Sequence, residues 1–147
     1  GEIGDGAGRG FTVNLPLEAG AGDADLDEAY RAVAVPVLDA FGPDLVLVSA
    51  GFDAHEDDPL AALRMTPAGF ANLTGLLLDV AARHAAGRIV FVTEGGYDLD
   101  GLETSLHATI EACAGGRGGT PPPAGDRARG RAGAEAARRA LRGYWSY

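Results

Sequence analysis

The sequence contains one cysteine, Cys113, among 147 residues. A lone cysteine cannot form an internal disulfide, and it cannot build a zinc site of the thiolate type. No run approaches the roughly 20 apolar residues that a membrane-spanning helix needs, and no basic-then-apolar leader opens the chain. We therefore expect a soluble protein that does not bind a membrane, with a cytoplasmic location as the default.

Basic residues are scarce in the first part of the chain. Residues 1–114 contain 5 arginines and no lysine against 19 acidic residues, a net charge of −14, whereas residues 115–147 contain 7 arginines against 2 acidic residues. Because affinity for nucleic acid depends on clustered basic side chains, the acidic body argues against direct nucleic-acid binding. An acidic surface would suit a cationic substrate, although a merely solubilising role is the more common one.

Length and composition indicate one domain with a tail. The chain opens with Gly1 rather than methionine, and motifs with chemical potential follow at once, so we expect it to be cut from a longer polypeptide. Residues 1–114 form the predicted body. Residues 115–133 are rich in Gly, Pro, Ala and Arg, which predicts a flexible linker. Residues 134–142 predict a last short helix, with Tyr144, Trp145 and Tyr147 available to dock it on the body.

The apolar pattern predicts alternating strands and helices. Strands are predicted over 11–15, 44–50 and 88–93, and the last two are apolar runs typical of parallel strands covered on both faces. Helices are predicted from Asp23 or Asp25 to residue 41 with a kink at Pro36, from Thr66 to residue 86, and over 99–113. The predicted buried stripes are Leu26, Tyr30, Val33, Val37 and Phe41 in the first helix and Phe70, Leu73, Leu77 and Val80 in the second. This order predicts an α/β fold whose parallel sheet ought to continue upstream.

Chemistry-bearing residues follow two of the predicted strands. Ligands of open parallel sheets gather beyond the carboxyl ends of the strands. The loop 49–60 contains four carboxylates and a histidine, and the loop 93–98 places Tyr97 after two glycines. A carboxylate at a strand end is a good ligand for a divalent metal, and a phenol can donate a hydrogen bond to a developing oxyanion. The two loops together indicate metal-assisted amide hydrolysis, although either loop alone is explained by ordinary turns, with Asp53 and Asp58 as caps.

The order of motifs carries a resemblance to a known family. Read with the segment 6–17, Gly-Ala-Gly-Arg-Gly-Phe-Thr-Val-Asn-Leu-Pro-Leu, the two loops closely resemble the histone deacetylase superfamily. The likeness is strongest to its class II type and to bacterial relatives such as acetylpolyamine amidohydrolases, and it runs from about residue 4 to residue 114. It implies a three-layer parallel-sheet fold of the arginase and deacetylase kind, present here as a partial domain. It also implies a Zn²⁺-dependent enzyme that deacetylates acetyl-lysine or an acetylated polyamine.

The resemblance implies roles for five residues. Asp53 falls on the family's third zinc ligand, and Tyr97 falls on the catalytic tyrosine that hydrogen-bonds the substrate carbonyl. Leu60 matches a position lining the acyl-chain tunnel, and Gly95 and Gly96 match the loop that positions the tyrosine. The family's Asp-x-His zinc ligands and its catalytic His-His pair are expected upstream of residue 1. The resemblance implies that this pair activates a zinc-bound water, so the 147 residues alone are expected to be inactive.

Other interpretations compete with this one. Asp53-Ala-His-Glu-Asp57 and Asp98-Leu-Asp100 fit the metal motifs of arginase-like ureohydrolases, which bind two manganese ions. The 45 positions from Asp53 to Asp98 are few for that family, and Tyr97 would have no role, so this interpretation ranks second. His55 is accordingly a ligand, a tunnel-rim residue or a solvated loop residue, with the last two favoured.

Two non-enzymatic interpretations complete the set. The glycines of residues 4–10 suggest a nucleotide-binding loop, but they precede a strand where a dinucleotide fingerprint would follow one and open a helix. A catalytically inactive, deacetylase-like interaction domain is the remaining alternative.

Overall fold

A computed structural model describes residues 1–115 and 123–146. In chain order the elements are a 3₁₀ turn (Gly6–Gly8), α1 (Asp23–Ala29), a π-helical turn (Tyr30–Ala34), α2 (Val35–Phe41), β1 (Val46–Ala50), α3 (Pro67–His84), β2 (Ile89–Thr93), α4 (Leu99–Gly115) and α5 (Ala128–Ala140). No helix in this part of the chain is both long enough and apolar enough to span a membrane.

The two strands form a parallel pair, as the sequence predicts. Val46 lies opposite Ile89, and Ala50 lies opposite Thr93. On one face of the pair, Val46 and its neighbours pack against the second half of α3 at Ala81. The two strands therefore end at the same edge, which fixes where the loops that follow them begin.

The prediction that both strand faces are covered is wrong for the described residues. Leu47, Val90 and Val92 are 69%, 47% and 51% exposed. Because side chains alternate along a strand, these residues line the face opposite α3. That face stays open over residues 1–115 and 123–146, so the apolar runs do form strands but are not covered on both sides.

The predicted strand 11–15 is also absent from this part of the structure, because these residues make no strand ladder with a neighbour. The alternation that suggests a strand has another cause. Val13 and Leu15 are partly buried and pack against a cluster of helical residues that includes Val33 and Ala137. Residues 11–15 thus bury one side against helices and find no strand partner among the described residues.

At Pro36, where the sequence predicts a kink, the helix contains a π-helical turn just before the proline. The Val35 N–H donates to the carbonyl of Tyr30, five residues back. In a regular helix the proline would lack an N–H and its ring would clash with the carbonyl of Ala32, so the wider turn relieves the conflict. The freed Ala32 carbonyl accepts a hydrogen bond of 2.7 Å from Arg138 of α5.

The predicted caps are present with their roles rearranged. Thr66 caps α3, accepting a hydrogen bond from the Gly69 N–H. Asp23, a predicted cap of the first helix, instead accepts bonds of 2.9 and 2.6 Å from the N–H and hydroxyl of Thr66. Asp25 accepts the Gly22 N–H at the start of α1. The sequence therefore locates both helix starts, while the tie between them depends on the tertiary fold.

The predicted stripes hold in part. Leu26, Val33, Val37, Phe70 and Val80 are buried, whereas Phe41 is 56% exposed. Phe41 lies beside a groove of about 570 Å³ along β1 that is lined by apolar side chains, including Leu38 and Leu47.

The predicted linker over 115–133 needs correction at its end. Residues 116–122 lie outside the described residues, but α5 begins at Ala128, six positions before the predicted start at 134. Gly130 approaches the backbone of α1 so closely that a Cβ there would clash with the Asp25 carbonyl, and its N–H donates to the Asp25 carboxylate at 2.9 Å. Gly130 thus allows close helix packing rather than flexibility.

The end of the chain is docked by one of the predicted aromatic residues. The Trp145 indole N–H donates to the Gly10 carbonyl at 2.7 Å, and its ring contacts Phe11 edge-on. Tyr144 is 45% exposed, with its ring against Gly10. Tyr147 lies outside the described residues.

A buried carboxylate joins the C-terminal helix to the body. Asp27 is fully buried and accepts hydrogen bonds from Arg31, Asn72 and Arg127 at 2.8 to 3.0 Å. Burial raises the pKa of Asp27, but the hydrogen bonds from Asn72 and Arg31 lower it more, so its net direction is below the ordinary 3.8. Asp27 therefore remains charged while linking α1, α3 and the start of α5.

Candidate active site

The loops after β1 and β2 leave the same edge of the sheet and remain in contact beyond it. The Glu94 N–H donates to the Ala50 carbonyl at 3.1 Å, and the Phe52 N–H donates to the Gly95 carbonyl at 2.9 Å. These bonds extend the pairing of the strands into the loops. The structure thereby brings the segments that carry Asp53 and Tyr97 together.

Asp53 has a free carboxylate at the end of β1. It lies against glycine backbone: a Cβ at Gly51 would be 3.0 Å from its Oδ1, and one at Gly95 would be 3.3 Å from its Cγ. The residue is partly buried, and across the described residues nothing donates a hydrogen bond to its carboxylate or forms an ion pair with it. Its oxygens are available to a ligand.

Tyr97 presents its side chain at the surface of the second loop. The residue is 58% exposed, and its backbone N–H donates to the Asp58 carboxylate at 2.8 Å. Its hydroxyl has no hydrogen-bond partner in the part of the chain that the structure describes. The backbone of Tyr97 is thus fixed while its hydroxyl is free.

Asp58 is a residue whose importance the sequence interpretation missed. It is buried, and its Oδ1 accepts N–H bonds from Leu60 and Ala61 at 2.9 and 3.4 Å, while its Oδ2 accepts the bond from Tyr97. Burial raises the pKa of Asp58, but the backbone bonds lower it more, so its net direction is downward. The sequence suggests a turn cap, which is correct within its own loop, but no local pattern indicates the bond to the second loop.

The two glycines before Tyr97 meet different local needs. Gly96 has a φ of 129°, in the region that favours glycine, and a Cβ there would approach Phe52 and Leu102 to 3.1 Å. Gly95 instead leaves room for the Asp53 carboxylate. One glycine therefore shapes the loop and the other accommodates the candidate ligand.

Leu60 has an exposed side chain and a fixed backbone. The residue is 70% exposed, and its N–H is held by Asp58. Exposure makes its side chain accessible to a ligand, and its role in lining an acyl tunnel stays a prediction.

Of the two interpretations that the sequence favours for His55, a tunnel-rim residue and a solvated loop residue, the second is wrong. The residue is buried, and its Nδ1 accepts a hydrogen bond from the Asp57 N–H at 3.3 Å. Its ring lies so close to Gly101 that a Cβ there would be 2.6 Å from Nδ1. These contacts give His55 a structural place inside the first loop.

The residues of the ureohydrolase-like pattern are not assembled as ligands. Asp98 accepts the Gly101 N–H at 2.6 Å and caps α4. Within residues 1–115 and 123–146, no group of three or more His, Cys, Asp or Glu side chains is placed to hold a metal ion. A catalytic zinc takes three protein ligands, a number that the described residues do not gather at one place.

Comparisons with known proteins agree with one another. The histone deacetylase domain family matches residues 1–113. The rice protein "Histone deacetylase 10, chloroplastic" is 45% identical over 111 residues, which are 76% of this chain and 25% of the rice protein. The "Histone deacetylase-like amidohydrolase" of Pseudomonas aeruginosa is 38% identical over 125 residues, 85% of this chain and 33% of that protein. The chain thus spans about a quarter to a third of the length of these curated relatives.

Solved structures give the same result for the fold. The crystal structure of the HDA15 HD domain matches 97% of this chain with a TM-score of 0.83 and 33% identity, and the chain covers 38% of that structure. The structure of the histone deacetylase Clr3 matches the same share with a TM-score of 0.84 and 35% identity, and 24% of it is covered. The predicted α/β fold of the deacetylase kind is therefore confirmed.

Proposed function

Because the chain belongs to the histone deacetylase family, we propose that it forms the part of a zinc-dependent deacetylase that carries one metal ligand, Asp53, and the oxyanion donor, Tyr97. The substrate class is an acetyl-amide, either acetyl-lysine or an acetylated polyamine. The observation that carries the proposal is the free Asp53 carboxylate at the end of β1, in contact with the loop that presents the Tyr97 hydroxyl.

The proposal assigns the other metal ligands and a His-His pair to a further segment of the polypeptide. Two observations support this assignment. The described residues gather no three-ligand group, and the chain spans only a quarter to a third of its curated relatives. The open strand face at Leu47, Val90 and Val92 is consistent with it, since apolar side chains at this exposure leave area that further protein could bury. The chain and that segment together are called the complete domain below.

Each residue has a role that follows from its chemistry. Zinc, when bound, supplies Lewis-acid polarisation of the amide carbonyl. Asp53 contributes a carboxylate ligand that its own loop does not use. The Tyr97 hydroxyl donates a hydrogen bond to the substrate carbonyl oxygen as negative charge develops on that oxygen. This hydrogen bond is stronger in the transition state than in the bound amide.

The net charge of the chain supports an acetylated amine as the substrate. Residues 1–114 carry a net charge of −14, and the first loop alone has four carboxylates. A negative field attracts substrates that bear amines, which suits both an acetylated polyamine and an acetyl-lysine in a basic peptide. Measuring the turnover of an acetylated diamine and of an acetyl-lysine peptide under the same conditions distinguishes the two substrate types.

Comparing the isolated chain with the complete domain tests the proposal. The isolated 147 residues are expected neither to retain zinc through dialysis nor to release acetate, whereas the complete domain is expected to do both. Metal analysis and acetate release are measured on the same samples. Stoichiometric zinc on the isolated chain would mean that it builds its own site. A complete domain that binds zinc yet hydrolyses neither substrate would favour the inactive interaction domain.

A further inference from the structure

We infer that Asp58 is a positioning residue for catalysis, because its buried carboxylate sets the direction of the Tyr97 side chain by holding the Tyr97 N–H. This inference rests on the function proposed above. The geometry is direct: the Asp58 Oδ2 accepts the Tyr97 N–H at 2.8 Å, across 39 positions of sequence. The same carboxylate accepts the Leu60 N–H at 2.9 Å through Oδ1. One side chain therefore joins the backbones of the two loops.

A carboxylate is the group that this position requires. Asp58 faces backbone N–H donors on both oxygens and is 7% exposed, so water cannot readily replace a lost acceptor. An ionised carboxylate accepts at both oxygens and has no hydrogen to present. An asparagine has one oxygen, so its NH₂ group would face either Leu60 or Tyr97, and one of the two N–H groups would lose its partner.

The bond to Asp58 acts where the second loop is otherwise adjustable. Before Tyr97 stands Gly96, whose φ of 129° is tolerated by glycine and gives little stiffness of its own. After it stands Asp98, which caps α4 through the Gly101 N–H. The helix thus anchors one side of Tyr97, and the N–H bond to Asp58 anchors the other. Because the backbone is held on both sides of Tyr97, the directions that its side chain can take are limited.

The carboxylate also links the tyrosine to a candidate substrate contact. Leu60 is 70% exposed, and its backbone is held by the oxygen opposite the one that holds Tyr97. A shift of the Asp58 side chain would therefore move the backbones of Leu60 and Tyr97 relative to each other. Misplacing a catalytic group by about 1 Å can cost on the order of 100-fold in rate, so a small change here is expected to be measurable.

A double-mutant cycle in the complete domain tests the inference. Asp58→Asn is expected to lower kcat about 10- to 100-fold with KM changed little and zinc content intact, because the tyrosine is misplaced rather than removed. In a Tyr97→Phe background the same change is expected to lower kcat less than about twofold, since residues that act as a unit are not additive. Glu103→Gln is the matched control, an exposed carboxylate of α4 outside both loops, and is expected to leave kcat unchanged.

Each contrary result has a distinct meaning. If Asp58→Asn lowers kcat equally whether Tyr97 is present or already replaced by phenylalanine, Asp58 does not act through the tyrosine, and the inference is overturned while the proposed function stands. If Tyr97→Phe itself leaves kcat unchanged, the proposed function of the tyrosine falls, and the inference falls with it. Should Asp58→Asn fail to fold, Asp58→Ser, whose hydroxyl accepts one N–H bond, takes its place in the same cycle with the same two outcomes.

Discussion

The carboxylate of Asp53 lies against the backbone of Gly95, where an added Cβ would be 3.3 Å from its Cγ. A valine at this position brings two further methyl groups toward the carboxylate. Gly95→Val in the complete domain is therefore expected to displace Asp53 and to reduce zinc affinity by about 10- to 100-fold, the usual effect of disturbing a ligand's support. Competition with a chelator measures the affinity.

Two other glycines separate the effects. Gly96→Ala places a side chain where φ is 129°, so it is expected to lower turnover by shifting Tyr97 while zinc affinity stays near normal. Gly75 lies in α3 with open space around its Cβ position, so Gly75→Ala is expected to leave zinc and turnover unchanged and to add about 1 kcal/mol of stability. Equal zinc affinity in the Gly95 and Gly75 variants would refute the contact with Asp53.

Asp53 and His55 are expected to respond differently to removal. Asp53→Ala should abolish zinc occupancy of the complete domain, because it removes a ligand. His55→Ala should keep zinc and lower stability, because the ring is buried and its Nδ1 accepts the Asp57 N–H. Metal analysis after dialysis and thermal unfolding distinguish the two. Equal metal loss in both variants, or two manganese ions in the unaltered protein, would favour a ureohydrolase.

The buried carboxylate of Asp27 gives a prediction about pH. Its folded-state pKa lies below 3.8, so its charged form contributes stability above the unfolded pKa, and this contribution is lost as pH falls through the folded pKa. Asp27→Asn is therefore expected to lower the free energy of unfolding at pH 7 and to flatten its decline in acid below about pH 4. Urea unfolding at several pH values measures both. An unchanged acid decline would mean that other carboxyl groups account for it.

Arg127 is the partner that joins Asp27 to the C-terminal helix. Arg127→Ala removes a charged donor from a buried acceptor but leaves Arg31 and Asn72 in place, so we expect a loss of about 1.5–3 kcal/mol at pH 7. The matched control is Arg142→Ala, which removes an exposed arginine just after α5 and should change stability by less than about 0.5 kcal/mol. Equal losses in the two variants would mean that the Asp27 contact does not anchor α5.

Local sequence patterns predict the elements that surround this site. The apolar runs at 44–50 and 88–93 indicate two parallel strands, and Thr66 with Pro67 indicates the start of α3, as the structure confirms. Each of these patterns lies within a few adjacent residues, so it can be recognised without knowledge of the tertiary structure. The placement of Asp53 and Tyr97 at one edge follows from the parallel order alone.

Features that depend on distant contacts are missed or misplaced by sequence patterns. The bond from Tyr97 to Asp58 spans 39 positions, and the Gly130 bond to Asp25 spans 105, so no local pattern indicates either. The glycines within 128–133 suggest flexibility, although at Gly130 the missing side chain permits close helix packing. A solvated loop residue is one of the two interpretations that the sequence favours for His55, whereas its ring is buried and a Cβ at Gly101, 46 positions away, would be 2.6 Å from its Nδ1.

Acetate release by the complete domain and by its Tyr97→Phe variant, with zinc quantified in the same samples, tests the central claim most directly. Loss of one oxyanion donor typically costs about 10²–10³ in turnover, so Tyr97→Phe is expected to fall by that factor with zinc and fold retained and KM changed much less. Near-normal turnover in a zinc-loaded Tyr97→Phe variant would contradict the account, leaving Tyr97 as a structural residue of its loop.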